Sequence, residues 1–209
     1  DYRNATYGSD DDFHFDLAGE FKGDSYGLAY CSSRLNDVDR NITVNLWLAN
    51  QQGNQKSSLI TWTSGAVTLN GTICVDASCP MARIKLKDNT TISRANSLLV
   101  NSDISGSGAL AFVNQFSKSR LNAVSLLGDN SGFSGPLILD GVLTSTQDAL
   151  LEVTVTNGVA LGGARPEMDR AGVLFDSFPK LIVNGNADFA AQNRCWASNN
   201  GLQVEVAEG

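Results

Sequence analysis

Three features of this chain predict an all-β fold. Twenty Gly against four Pro and two Met describe many turns and few long helices. Apolar and polar residues alternate with a period of two over short segments rich in Val, Ile and Thr, and helix-period patterning is nearly absent. From Ser97 onward these segments are parted by Gly-, Asn- and Ser-containing turns, with spacings such as Leu126 to Leu151 and Leu181 to Leu202. Coils of a solenoid recur at about 20–30 residues, and these spacings fit that stride.

The elements follow in order. Residues 1–24 are polar and acidic, and Phe13-His14-Phe15-Asp16-Leu17 alternates as a first strand should, with Phe13, Phe15 and Leu17 on one face. Gly27-Leu-Ala-Tyr-Cys31 follows, and then Ser32–Arg40, a polar loop that could form a short helical turn. From Asn41, Ile42, Val44, Leu46 and Leu48 alternate with Thr43, Asn45 and Trp47, which puts Trp47 on the polar face. Gln51–Ser57 breaks this run, and Leu59–Trp62 resumes it. Ala66–Leu69 and Thr72–Val75 flank Asn70-Gly71, which predicts a tight hairpin. Ile84–Leu86 follows, with Arg83, Lys85 and Lys87 on one solvated face. Further strands are expected at 97–100, 109–113, 124–127, 137–139, 150–155, 173–175, 181–183 and 202–206.

In a solenoid, inward Val, Leu and Ile of each coil stack on those of the next, while Gly and Asn at the corners accept the bends. A β-sandwich with irregular loops yields similar short strands, so periodicity alone leaves both architectures open. The segment Ile104–Gly163 separates them. It contains Ile104-Ser-Gly-Ser-Gly-Ala-Leu110, then Leu126-Leu-Gly-Asp-Asn-Ser-Gly-Phe-Ser-Gly135, then Leu137-Ile-Leu-Asp-Gly-Val-Leu143, and later Val159-Ala-Leu-Gly-Gly163. In its order of parts it resembles the passenger-associated repeat of bacterial autotransporter-type surface proteins. That resemblance implies a right-handed parallel β-helix displayed outside the cell, with Gly106, Gly108, Gly128, Asn130, Gly135 and Gly141 as structural turns. Pro136 and Gly132 depart from the usual wording of the repeat, and Pro136 then has to stand at the first position of a strand. Residues 1–95 do not match it and are expected to be an N-terminal cap or diverged coils, with the repeat region at 96–209 continuing beyond Gly209. The missing start methionine fits a mature or trimmed fragment.

Composition narrows the function classes. A formal net charge of −7 makes nucleic acid and anionic lipid poor partners. No apolar run approaches the roughly 18 residues of a membrane-spanning helix. A single histidine, His14, leaves no obvious nucleophilic triad and no zinc site, and no cofactor is implied. Of the four cysteines, Cys74 and Cys79 are close enough to staple a local loop, leaving Cys31 with Cys195 as a candidate long-range pair; free buried thiols are the alternative. Disulfides would suit an oxidising compartment. Asp10-Asp11-Asp12 and Asn184–Asp188 offer oxygen ligands without the spacing of a calcium loop. Asn4, Asn41, Asn70 and Asn89 head glycosylation acceptor patterns, meaningful only for a eukaryotic secreted chain.

The expectation is thus a non-enzymatic, exported or surface-exposed scaffold whose loops contact glycans or host surface proteins. Trp47 could stack on a sugar. Arg165, Glu167, Asp169 and Arg170, gathered in one loop, are the other candidate contacts. The same loop supports the alternative of a polysaccharide lyase or hydrolase, since such enzymes combine carboxylates with a basic group. A purely structural stalk is the third reading.

Overall fold

The computed structural model of the chain describes residues 12–16, 29–31, 40–49, 58–62, 66–79, 81–87, 97–114, 122–141, 151–163, 172–177, 179–185, 187, 189, 196–199 and 201–207. These form strands and turns with no helix among them. The strands are β1 (Asp12–Asp16), β2 (Ala29–Cys31), β3 (Arg40–Ala49), β4 (Ser58–Trp62), β5 (Ala66–Val75), β6 (Ala82–Lys87), β7 (Ser97–Val100) and β8 (Asp103–Gly106). They continue as β9 (Leu110–Asn114), β10 (Asn122–Leu126), β11 (Leu137–Asp140), β12 (Leu151–Val155), β13 (Val173–Asp176), β14 (Lys180–Asn184), β15 (Trp196–Asn199) and β16 (Gln203–Ala207).

The strands lie in two sheets, and every described pairing is parallel. The first sheet has the order β1-β3-β5-β7-β10-β12-β14-β16, with β8 beside β5; the second has the order β2-β4-β6-β9-β11-β13-β15. Apart from β7 and β8, which share β5 as neighbour, successive strands fall in alternate sheets, and each sheet is ordered as the chain is. Parallel neighbours cannot be joined by a tight hairpin, so each chain passage between them must cross over.

The register converts the sequence's alternation into straight columns. Leu69, Val100, Leu126, Val155, Val183 and Val206 face one another in succession across the first sheet. Beside them run Leu98, Val124, Val153, Leu181 and Val204. In the second sheet the column is Ile84, Phe112, Leu139 and Phe175. All except Val204 and Val206 belong to one contiguous buried core. Each such side chain contributes about 1.5–3 kcal/mol when fully buried, so the columns carry a large share of the fold's hydrophobic stabilisation. Stacking like on like in register also explains the preference for Val, Leu and Ile, whose branched shapes pack well on a pleated surface.

Several expectations change here. Asn70-Gly71 is no hairpin: it lies inside β5, which pairs with β3 from Val67 to Val75. Gly71 has φ 96°, a left-handed conformation that glycine adopts without strain, and it lets β5 bend between the half that faces β7 and the half that faces β8. At this bend the Leu69 carbonyl accepts hydrogen bonds from both Asn101 N (2.9 Å) and Ser102 N (3.1 Å). One rung on, the Val100 carbonyl receives Leu127 N (2.9 Å) and Gly128 N (3.3 Å) in the same way. Asn-Gly therefore makes a bend inside a paired strand, and the Leu69 carbonyl beside it is satisfied by the turn after β7.

The stride also shifts: Leu126 faces Val155, not Leu151, and Leu181 faces Val204, not Leu202. Two strands, β8 and β15, had no clear apolar alternation to announce them. Pro136 directly precedes β11, and its carbonyl accepts Leu110 N at 2.9 Å, so its missing N–H costs no ladder bond. β5 pairs with β7 and β6 with β9, so strands on either side of residue 95 share the same two sheets.

Candidate functional site

The outward side of the first sheet gathers a set of polar side chains around one aromatic ring. In β3, Leu46 and Leu48 are buried, and the pleat turns Asn45 and Trp47, both half-buried, the other way. In register with them stand Thr72 and Cys74 of β5, then Asp103 and Ser105 of β8. Asn45 Oδ1 accepts from Thr72 N (3.2 Å) and from Thr72 Oγ1 (2.9 Å). Beside this pair, Asn101 Nδ2 donates to Asn70 Oδ1 (3.1 Å), and Asp129 N donates to Asp103 Oδ1 (2.8 Å). The strip is a ladder of amides, hydroxyls and carboxylates tied rung to rung.

Trp47 is held at the edge of this strip by Asp76, whose carboxylate accepts from the indole N–H. Asp76 N in turn donates to the Leu48 carbonyl (2.9 Å). The Ser78 hydroxyl and then the Ser78 backbone N–H, with Trp47 as a further donor, hold the Asp76 carboxyl below its ordinary value. The Asp76–Ser78 turn is one of three alike among the described residues. Ser78 N donates to Asp76 Oδ1 (2.8 Å), Ser131 N to Asp129 Oδ1 (2.9 Å) and Val159 N to Asn157 Oδ1 (3.0 Å). Side-chain oxygens of Asp and Asn thus close the corners in place of backbone acceptors. Asp129 is likewise held low, by the Ser131 N–H and then its hydroxyl. These Asx turns escape a search for apolar periodicity; the recurring Asp-x-Ser at 76–78 and 129–131 is the signal that finds them.

The turn residues singled out in the repeat have structural roles. Asn130 is buried; its Oδ1 accepts Ile104 N (2.8 Å) and its Nδ2 donates to the Ala160 carbonyl (2.7 Å), so one amide spans three rungs. At Gly128 an added Cβ would collide with the Ser102 carbonyl, at Gly106 with that of Val75, at Gly108 with that of Asp76 and at Gly135 with that of Gly108. Gly141 is buried, and its N–H donates to the Asp176 carbonyl (2.9 Å). These positions let backbone lie directly on backbone.

The proposed Cys74–Cys79 staple is not formed: both are free thiols. The pleat explains it, because Cys74 alternates with buried Ile73 and Val75 and faces outward, whereas Cys79 is in the core. The Cys31–Cys195 pair lies outside the described side chains. So do the loop residues Arg165, Glu167, Asp169 and Arg170, and the carboxylates at 10–11.

Chemically, the Trp47 strip offers a ring with an anchored polar edge next to uncharged amides and hydroxyls and three carboxylates. Such a combination suits contact with a polyhydroxylated ligand. Among the described residues no group of three or more His, Cys, Asp or Glu could hold a metal ion. No family model, curated protein or solved structure matches the chain.

Proposed function

We propose that this chain is a right-handed parallel β-helix, exported to the cell surface or beyond, that acts as a non-enzymatic scaffold and contacts glycans through the Trp47 face. The alternation of strands between two chain-ordered parallel sheets supports the coil, because a solenoid produces that order without further assumptions. Crossovers between parallel neighbours are right-handed in about 98% of cases, which supports the hand. The order of parts in Ile104–Gly163, similar to the autotransporter passenger repeat, supports an extracellular setting.

The observation that carries the glycan reading is the placement of Trp47. An aromatic ring on the polar face of a strand, with its N–H bonded to Asp76, sits beside the Asn45–Thr72 and Asn70–Asn101 ladder. Aromatic side chains stack on the apolar faces of sugars while neighbouring amides and hydroxyls meet their hydroxyl groups. Asp76, Asp103 and Asp129 along the same strip would repel uronic and sialic acids, so neutral glycans are the expected ligands.

A glycan array with the full chain tests this. Binding to neutral oligosaccharides, lost in Trp47→Ala and kept in a variant of the second sheet's outward face such as Ile138→Ala, is the expected result. Turnover of any polysaccharide would replace the scaffold reading with an enzyme, and silence across the array would remove the glycan reading.

A further inference from the structure

Trp47 heads a row of small residues that crosses the outward side of the first sheet. It is in register with Cys74 of β5, and Cys74 with Ser105 of β8. Gly132 comes next, because Gly106 bridges Phe133 and a Cβ added at Gly132 would lie 3.3 Å from Ser105 Cβ. The row therefore falls from an aromatic ring to a thiol, a hydroxymethyl group and bare backbone. Cys74 and Ser105 are half-buried and Gly132 is exposed, so these residues form a low floor open to solvent.

The floor has larger polar groups along one side. Asn45, Thr72 and Asp103 form the adjacent row in the same register, where Asn45 Oδ1 accepts from Thr72 Oγ1 (2.9 Å). The Trp47 ring stands at one end, its N–H held by Asp76. Neighbouring strands are about 4.8 Å apart, so the steps from Trp47 through Cys74 and Ser105 to Gly132 span about 14 Å.

Gly132 departs from the usual wording of the passenger repeat, and the fold does not call for glycine there. Its φ lies outside the left-handed region, and the nearest backbone atom of another strand is 3.8 Å from the Cβ position. At Gly128 and Gly135, by contrast, a Cβ would collide with a carbonyl. A Cβ at Gly132 needs the Ser105 side chain to yield by only a few tenths of an ångström. What the missing side chain does is keep the far end of the floor clear.

We propose that this row is the binding floor for a linear, neutral, β-1,4-linked glycan that lies across the strands, with one sugar unit packed on Trp47 and the next ones over Cys74, Ser105 and Gly132. The inference rests on the glycan reading of the Trp47 face and adds the shape and length of what that face holds. An extended β-1,4-linked chain is a flat ribbon whose unit length is close to the spacing of strands, so successive units meet Asn45, Thr72 and Asp103 in turn. A branched glycan, or one that coils as α-1,4-linked glucose does, leaves the floor after the unit on Trp47.

Calorimetric titration of the full chain tests this, with β-1,4-linked oligomers of glucose and of N-acetylglucosamine and with α-1,4-linked oligomers of glucose. Affinity for at least one β-linked series should rise about tenfold from the disaccharide to the tetrasaccharide and then level off, while the α-linked series gains nothing with length. Gly132→Leu should return the tetrasaccharide to the affinity of the disaccharide and leave the disaccharide unchanged. In the unsubstituted protein the β-linked hexasaccharide should slow alkylation of Cys74 by iodoacetamide several-fold, read by mass spectrometry of its peptide, with the buried Cys79 as reference. If Gly132→Leu lowers the melting temperature, the alkylation result decides by itself. Affinity independent of chain length, or alkylation of Cys74 unaffected by saturating hexasaccharide, overturns this inference and leaves the glycan reading standing. Absence of binding by both β-linked series overturns it too, and the glycan reading falls with it only where the wider array is also silent.

Discussion

Asn130 and Ser102 are both buried polar residues at a corner, and they should respond oppositely to truncation. Asn130 satisfies the Ile104 N–H below it and the Ala160 carbonyl above it. Asn130→Ala leaves both groups buried without a partner, at a cost of about 3 kcal/mol in unfolding free energy. Ser102 Oγ is buried with no hydrogen-bond partner among the described residues, so Ser102→Ala removes an uncompensated hydroxyl and should be neutral or stabilising by up to about 1 kcal/mol. Urea unfolding of the two variants checks the pair; equal destabilisation by both would show that the two corners are packed otherwise than described. Nothing in the apolar pattern distinguishes the two residues. The repeat-like order Leu126-Leu-Gly-Asp-Asn130 marked Asn130 as a turn residue, but the three-rung span of its amide depends on register, which a single sequence does not display.

At the level of the element, strands with strong alternation were legible and corners were not. β7, β11, β12 and β14 lie within a residue or so of where Val, Ile and Leu alternate with polar residues, because burial on one side of a pleat imposes that alternation directly. β15, Trp-Ala-Ser-Asn, becomes a strand through its parallel register with β13, a tertiary cause. Asn70-Gly71 was misread for the same reason: in a hairpin and in a bend inside a paired strand the local backbone demand is alike, and only the strand beyond decides. Trp47 was legible as an outward aromatic, but its partner Asp76 and the nearby Asn45–Thr72 and Asn70–Asn101 bonds join different strands and were missed.

The Asx corners also make an acid limb predictable. The fold holds Asp76 and Asp129 below the ordinary carboxyl value of 3.8, so it favours their charged forms. That stabilisation is complete above the ordinary value and is lost as pH falls through and below it. Melting temperatures measured between about pH 5 and pH 2 should fall less steeply in the Asp76→Asn, Asp129→Asn double variant, in which the amide oxygen can still close the turn. An unchanged slope would assign the acid limb to other carboxylates.

For the molecule as a whole, each strand touches chiefly its neighbours in the sheet, and the side-chain bonds of Asn130 and Asn101 reach residues 26 to 31 away in the chain. In the proposed β-helix stability is a sum of coil and neighbour terms, so protection against amide exchange should be graded. The slowest amides are expected in β9 to β12, which have a neighbour on each side, and faster ones in β16, which has one described neighbour, β14; uniform protection along the chain would contradict that arrangement. The columns carry a further consequence, for how this sequence can change over time. Each bulky inward residue is accommodated by whatever lies one rung away: Phe112 sits between Ile84 and Leu139, and Phe133 is bridged to Gly106. Enlarging one member of a column is therefore compensated by shrinking its in-register neighbour on the adjacent strand, and accepted substitutions should arrive in such pairs. Epistasis in this protein is expected to run across each sheet, one strand at a time.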